Sequence, residues 1–134
     1  MKIKRVVIKT DGTAAPNPGP AKIGAIIKDE QGRLIASICQ SIGYSTNNQA
    51  EYKAVIAALE KAIQLGVSQV NLYSDSELLV RQLNGQYRVK NASLKPLYQR
   101  VQQLQRQFKS FTTTHIPSEE NKEAHNLASN APIL

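Results

Sequence analysis

Cysteine is nearly absent from this sequence: Cys39 stands alone among 134 residues. An intrachain disulfide is therefore excluded, and so is a zinc site of the multi-cysteine kind. The expected role of Cys39 is that of a small buried hydrophobe. Long apolar runs are lacking too, and none approaches the roughly 20 residues that span a bilayer, so no membrane segment is expected. The opening MKIKRVVIKTDG alternates basic and apolar residues where a secretory signal would carry a continuous apolar core. The expectation is a cytoplasmic monomer. No repeat, linker or low-complexity tract interrupts the chain, and its length suits one domain over 1–134 with a single core.

What the sequence has in excess is positive charge. Seventeen Lys and Arg stand against ten Asp and Glu, a formal net charge of +7. Such an excess favours polyanionic partners through long-range attraction and counterion release. Lysine also serves solubility, so charge by itself does not select nucleic acid.

The hydrophobic pattern predicts an α/β order. Ile3 to Thr10 is a β-branched run that reads as a strand, ending at Asp11-Gly12. Ile23 to Lys28 and Leu34 to Ser41 are two further strands around a turn at Asp29-Glu30-Gln31-Gly32, giving an antiparallel meander. From Thr46 the period changes: Tyr52, Val55, Ile56, Leu59 and Ile63 form the stripe of an amphipathic helix, with Thr46 and Gln49 as a capping box and Leu65-Gly66 as the stop. A fourth strand over Val67 to Ser74, a short helix over Glu77 to Asn84, a helical stripe from Leu94 to Phe108, a fifth strand over Phe111 to Ile116 and a helix over Asn121 to Asn130 complete the chain. Antiparallel strands followed by crossover helices predict a mixed sheet.

Three carboxylates fall at informative places in this order: Asp11 at the end of the first strand, Glu51 in the first turn of the main helix, and Asp75 at the end of the fourth strand. Carboxylates gathered at one sheet edge repel each other unless cations fill the gap, and hard divalent ions prefer all-oxygen ligands. That chemistry is metal-assisted phosphoryl transfer. Each residue also has an ordinary alternative. Asp11 before glycine can shape a turn, Glu51 can complement a helix dipole, and Asp75 can cap the short helix.

The surrounding residues favour the chemical reading. TDGTAAPNPGPAKIGAII, STNNQAEYKAVIAALEKA, YSDSELLVRQLNG and HIPSEENKEAHNLA resemble, in order and over nearly the whole chain, the successive signatures of the type 1 ribonuclease H family. The resemblance implies a ribonuclease-H-like fold, a five-stranded mixed sheet whose first three strands are antiparallel, with helices on its faces. It further implies a four-carboxylate site for two divalent cations, Mg²⁺ or Mn²⁺, and an endonuclease that hydrolyses the RNA strand of an RNA–DNA hybrid to 5′-phosphate and 3′-hydroxyl ends. On that basis Asp11 bridges both ions, Glu51 and Asp75 hold the leaving-group ion, and the fourth ligand belongs at His125. The family's N-x-x-A-D pattern has Asp there, whereas this chain reads Asn121-Lys122-Glu123-Ala124-His125.

Gly12, Thr13, Asn17, Asn48 and Glu77 resemble family positions that approach the hybrid. Asn17 and Asn48 have alternative readings as turn and capping residues. His115, at the end of the fifth strand, is read as structural, and the segment from Gly85 to Leu94 is too short for a large basic protrusion. Two other readings remain from the sequence: a non-catalytic nucleic-acid-binding protein on the same fold, and a different nuclease or recombinase.

Overall fold

The computed structural model describes residues 3–132. Its strands are β1 (Arg5–Ala14), β2 (Gly19–Lys28), β3 (Leu34–Ser45), β4 (Gln69–Ser74) and β5 (Ser110–His115). Its α-helices are α1 (Asn47–Gln64), α2 (Glu77–Leu83), α3 (Lys95–Gln105) and α4 (Lys122–Ser129), the last preceded by a 3₁₀ turn over Ser118–Glu120. The strands form one sheet in the order β3-β2-β1-β4-β5. β1, β2 and β3 are mutually antiparallel, while β4 pairs parallel to β1 and β5 parallel to β4. This is the mixed sheet expected from the sequence.

Two layers of helix cover the sheet. The main core lies on the α1 side, where Tyr52, Val55, Ala58 and Leu59 of α1 meet Val6, Ile8, Ala25, Ile27, Val70 and Leu72 of the strands. α3 adds Val101 and Leu104 to the same cluster. The buried Tyr52 hydroxyl donates to Gln82 Oε1 at 2.6 Å, tying α1 to α2 without leaving either polar group unpaired. On the opposite face α4 lies across β2 so closely that a Cβ added at Gly24 would come within 2.3 Å of the Ala124 carbonyl oxygen. Glycine at 24 is what lets a helix backbone rest on the strand.

The ends of elements differ from the sequence expectation in ways that matter for the site. β1 does not stop at Thr10. It continues through Asp11, which opposes Gly24 of β2, and on to Ala14. Glu51 lies beyond the first turn of α1, which contains no acidic residue. Cys39 is exposed, not buried. It opposes Gly24 on β3, the outermost strand at that edge, where only the short α4 covers this face. Among the described residues, no helix is long and apolar enough to cross a membrane.

Gly24→Ala should force α4 away from β2 and lower stability by about 1–3 kcal/mol, the usual cost of overpacking a tight contact. Urea unfolding followed by circular dichroism measures this; an unchanged midpoint would show that α4 is not seated on the strand as described.

Candidate active site

The parallel pairing of β1 with β4 ends at Thr10↔Ser74. Asp11 and Asp75 are the next residue of each strand, so the register itself places them side by side. Ser76, not Asp75, caps α2 by accepting from the Leu79 N–H, which leaves the Asp75 carboxylate free of that duty.

Beyond the end of β4, alternate backbone donors of β1 need other partners, because a buried N–H without one is costly. α1 supplies them. Gly12 N–H donates to Glu51 Oε1 at 2.7 Å, and Ala14 N–H donates to Asn47 Oδ1 at 2.7 Å. The approach is close: a Cβ on Gly12 would fall 2.3 Å from the Ala50 carbonyl carbon and oxygen. Gly12 therefore serves first as the seat for α1, and its N–H fixes the direction of Glu51.

The start of α1 is held by several bonds. Thr46 Oγ1 accepts from Gln49 N–H while Gln49 Oε1 accepts from Thr46 N–H, the reciprocal capping box expected from the sequence. Asn17 Oδ1 accepts from Asn47 N–H at 2.9 Å, satisfying another orphan donor of the first turn.

With these constraints, Asp11, Glu51 and Asp75 each offer a carboxylate oxygen within 4.8 Å of the other two. The electrostatic consequence is visible in the pKa values of Glu51 and Asp11. Glu51 is raised well above its ordinary value by burial first, then by the charges of Asp11 and Asp75. Asp11, only 6% exposed, is raised by burial and by Asp75, with hydrogen bonds from His125 and the Gly12 N–H opposing the shift. Two acids destabilised in their charged forms, with a third carboxylate beside them, are a donor set that fits a divalent cation, which would offset the repulsion and desolvation together.

His125 approaches from α4. Its Nδ1 lies 3.1 Å from Asp11 Oδ2, and its Nε2 lies 3.5 Å from Ser129 Oγ. Among the described residues its polar contacts are with Asp11 of the cluster and with Ser129. α4 is held at this height by Asn121, which the sequence reading assigned no task. Buried completely, Asn121 donates from Nδ2 to the Thr10 carbonyl at 2.8 Å, one residue before Asp11. The sequence signals for it are its place as the first residue of the N-x-x-A-D pattern and a polar residue at a helix start.

The remaining residues named from sequence spread around this centre. Thr13 is half-buried on β1, Asn17 is exposed in the turn between β1 and β2, and Asn48 is exposed in the first turn of α1. Glu77 is exposed and paired with Arg81 at 3.1 Å. His115 is exposed at the end of β5, opposite Ser74 in register and outside the carboxylate cluster.

The profile of a family described as reverse transcriptase-like matches residues 9–131. The ribonuclease HI of Halobacterium salinarum is 38% identical over 127 residues, covering 95% of this chain and 64% of that protein. The chain belongs to the type 1 ribonuclease H family. The solved RNase H1 of H. salinarum superposes with a TM-score of 0.92 at 38% identity, covering 95% of this chain and 96% of that one. The N-terminal RNase H domain of a Mycobacterium tuberculosis protein does so with the same score and identity over 95% and 98% of the two chains. LC11-RNase H1, isolated from compost, superposes at 0.89 with 39% identity over 94% and 95%, and was solved with an RNA/DNA hybrid bound. Some relatives are much longer: this chain spans 35% of a bifunctional protein of M. tuberculosis.

The raised folded pKa values of Glu51 and Asp11 set the sign of a pH effect. A carboxyl that holds its proton more tightly when folded loses stability as pH rises from its unfolded value through its folded one. In EDTA, Glu51→Gln should therefore melt above the wild type near pH 8, with the gap closing toward about pH 5, where the unfolded carboxyl begins to protonate. Adding Mn²⁺ should raise the wild-type Tm and reverse the order. A gap independent of pH and of Mn²⁺ would mean that Glu51 carries no such strain.

Proposed function

We propose that this protein is an endonuclease that hydrolyses the RNA strand of RNA–DNA hybrids. The observation that carries the reading is the convergence of Asp11, Glu51 and Asp75 within 4.8 Å, on a fold shared with a protein solved bound to such a hybrid. When bound, two divalent ions would polarise the scissile phosphate, activate a water as nucleophile and stabilise the leaving 3′ oxygen, giving 5′-phosphate and 3′-hydroxyl ends. In this reading Asp11 would hold both ions. Glu51 and Asp75 would hold the leaving-group ion with it, and His125 would help hold the nucleophile-side ion.

His125 changes the character of that side. If Nδ1–H donates to the Asp11 carboxylate, Nε2 keeps its lone pair 3.5 Å from Ser129 Oγ, on a side chain that is 61% exposed. A neutral imidazole in place of a carboxylate removes one negative charge and offers nitrogen where Mg²⁺ prefers oxygen. Mn²⁺ accepts imidazole more readily. The same nitrogen can instead take a proton from the attacking water.

Selection of RNA rests on the 2′-hydroxyl, which needs nearby small polar groups. Thr13, Asn17, Asn48 and Glu77, which resemble family positions that approach the hybrid, would supply polar contacts to it. Gly12 contributes through its backbone, although its N–H is already given to Glu51. The basic surface follows phosphates without reading sequence.

Cleavage of labelled hybrid, duplex DNA and duplex RNA on a gel tests the reading. The hybrid alone should be cut, in its RNA strand, and Asp11→Asn should reduce the rate by about 100-fold or more. His125→Asp should raise the ratio of Mg²⁺- to Mn²⁺-supported activity by roughly 10- to 100-fold, the scale of altered metal coordination. An unchanged ratio would refute the assignment of His125 to the metal side. Wild type that binds hybrid and cuts it with neither ion would leave a binding protein on the same fold, the reading favoured by the contact of His125, among the described residues, with Asp11 alone of the three acids.

A further inference from the structure

On the α4 face of the sheet, beside the carboxylates, lies a groove of about 640 Å³. Its walls include Thr13 of β1, Lys22 of β2, Tyr44 of β3, and His125 and Ser129 of α4. His125 thus belongs both to the groove and to the site, so the two are continuous.

The groove owes one wall to an irregularity in β3. Pairing with β2 runs Lys22↔Ser41 and then Ala21↔Gly43, which makes Ile42 an extra residue. An inserted residue reverses the alternation of faces beyond it. Ile42 packs inward against Ala14, Ala21 and Ala50, and Gly43 takes φ of +79°. Tyr44, now opposite Pro20, emerges on the same face as Lys22 and Ser41. With regular pairing it would oppose Gly19 and point toward α1.

The result is an aromatic ring, 75% exposed, on the wall of a groove that also carries a cation. Among the described residues Lys22 takes part in no ion pair. A nucleotide presents the matching pair of surfaces: a sugar with an apolar face and an anionic phosphate. A strand held with one phosphate at Asp11 would meet this groove as it passes His125.

We propose that the groove is a subsite for the strand being cut, holding a nucleotide that flanks the scissile phosphate, its sugar packed on the Tyr44 ring and its phosphate on Lys22 Nζ. This rests on the nuclease reading above. The bulge is then a specificity device, because it alone turns Tyr44 toward the substrate.

Fluorescence anisotropy with a labelled hybrid in EDTA, over a range of salt, tests it. Tyr44→Ala should weaken binding by about fivefold, roughly 1 kcal/mol, while Tyr44→Phe keeps the ring and the affinity. Lys22→Gln should reduce the slope of log K against log salt by about one. A second readout uses the exposed Cys39, which lies on the groove's face of β3. An iron–EDTA probe tethered there should cut bound hybrid in one narrow cluster of nucleotides. Folded Tyr44→Ala and Lys22→Gln proteins with wild-type affinity and slope, or a bound hybrid left intact by the probe, would overturn the subsite while leaving the nuclease reading standing. Wild type that fails to bind hybrid at all would sink both. A sedimentation coefficient that falls on Tyr44→Ala without nucleic acid would assign the groove to a second copy of the chain and refute the proposal.

Discussion

The register of β1 between its two neighbours governs the site. On one side it pairs with β2 as far as Ala14; on the other it pairs with β4 only as far as Thr10. The stretch from Asp11 to Ala14 is therefore a strand with one open flank, and everything functional gathers there. Asp75 arrives because β4 ends, and Glu51 and Asn47 arrive because the open flank has N–H groups to satisfy. A slip of one residue would turn Asp11 toward the α1 backbone, where a Cβ at position 12 already finds no room, and would present glycine to His125. The same pairing that builds the core thus fixes the chemistry.

Holding three carboxylates at that flank works against stability, and the surrounding structure carries the strain. The capping box, the Tyr52–Gln82 bond and the core beneath α1 make the helix rigid enough to keep Glu51 in place. Asn121 does the same for α4 from the other face. Such a site is preorganised by bonds that lie outside it, and a cation relieves a repulsion the fold has already imposed.

Much of this was legible in the sequence, because the relevant signals are local. β-branched runs, a stripe at helical spacing and the Thr46–Gln49 box located every strand and α-helix, and the motif order identified the three acids. What stayed hidden depends on contacts distant in the chain. Where β1 ends is decided by β2, so Asp11 reads as a strand terminus when it is an interior residue with one unpaired side. Cys39 reads as buried by residue type, yet it faces outward on an edge strand. The bulge at Ile42 and its effect on Tyr44 follow from pairing with β2, and Asn121 meets Thr10 across 111 residues.

His125 is the residue on which this chain departs from its family's motif, and the structure places it against Asp11 at 3.1 Å. The central claim is that Asp11, Glu51 and Asp75 form a divalent-cation site. Electron paramagnetic resonance of Mn²⁺ titrated into the protein measures free ion directly, and hence ion bound per chain. The account predicts saturable binding by the wild type that Asp11→Asn abolishes while remaining folded; equal Mn²⁺ binding by the two proteins would contradict it.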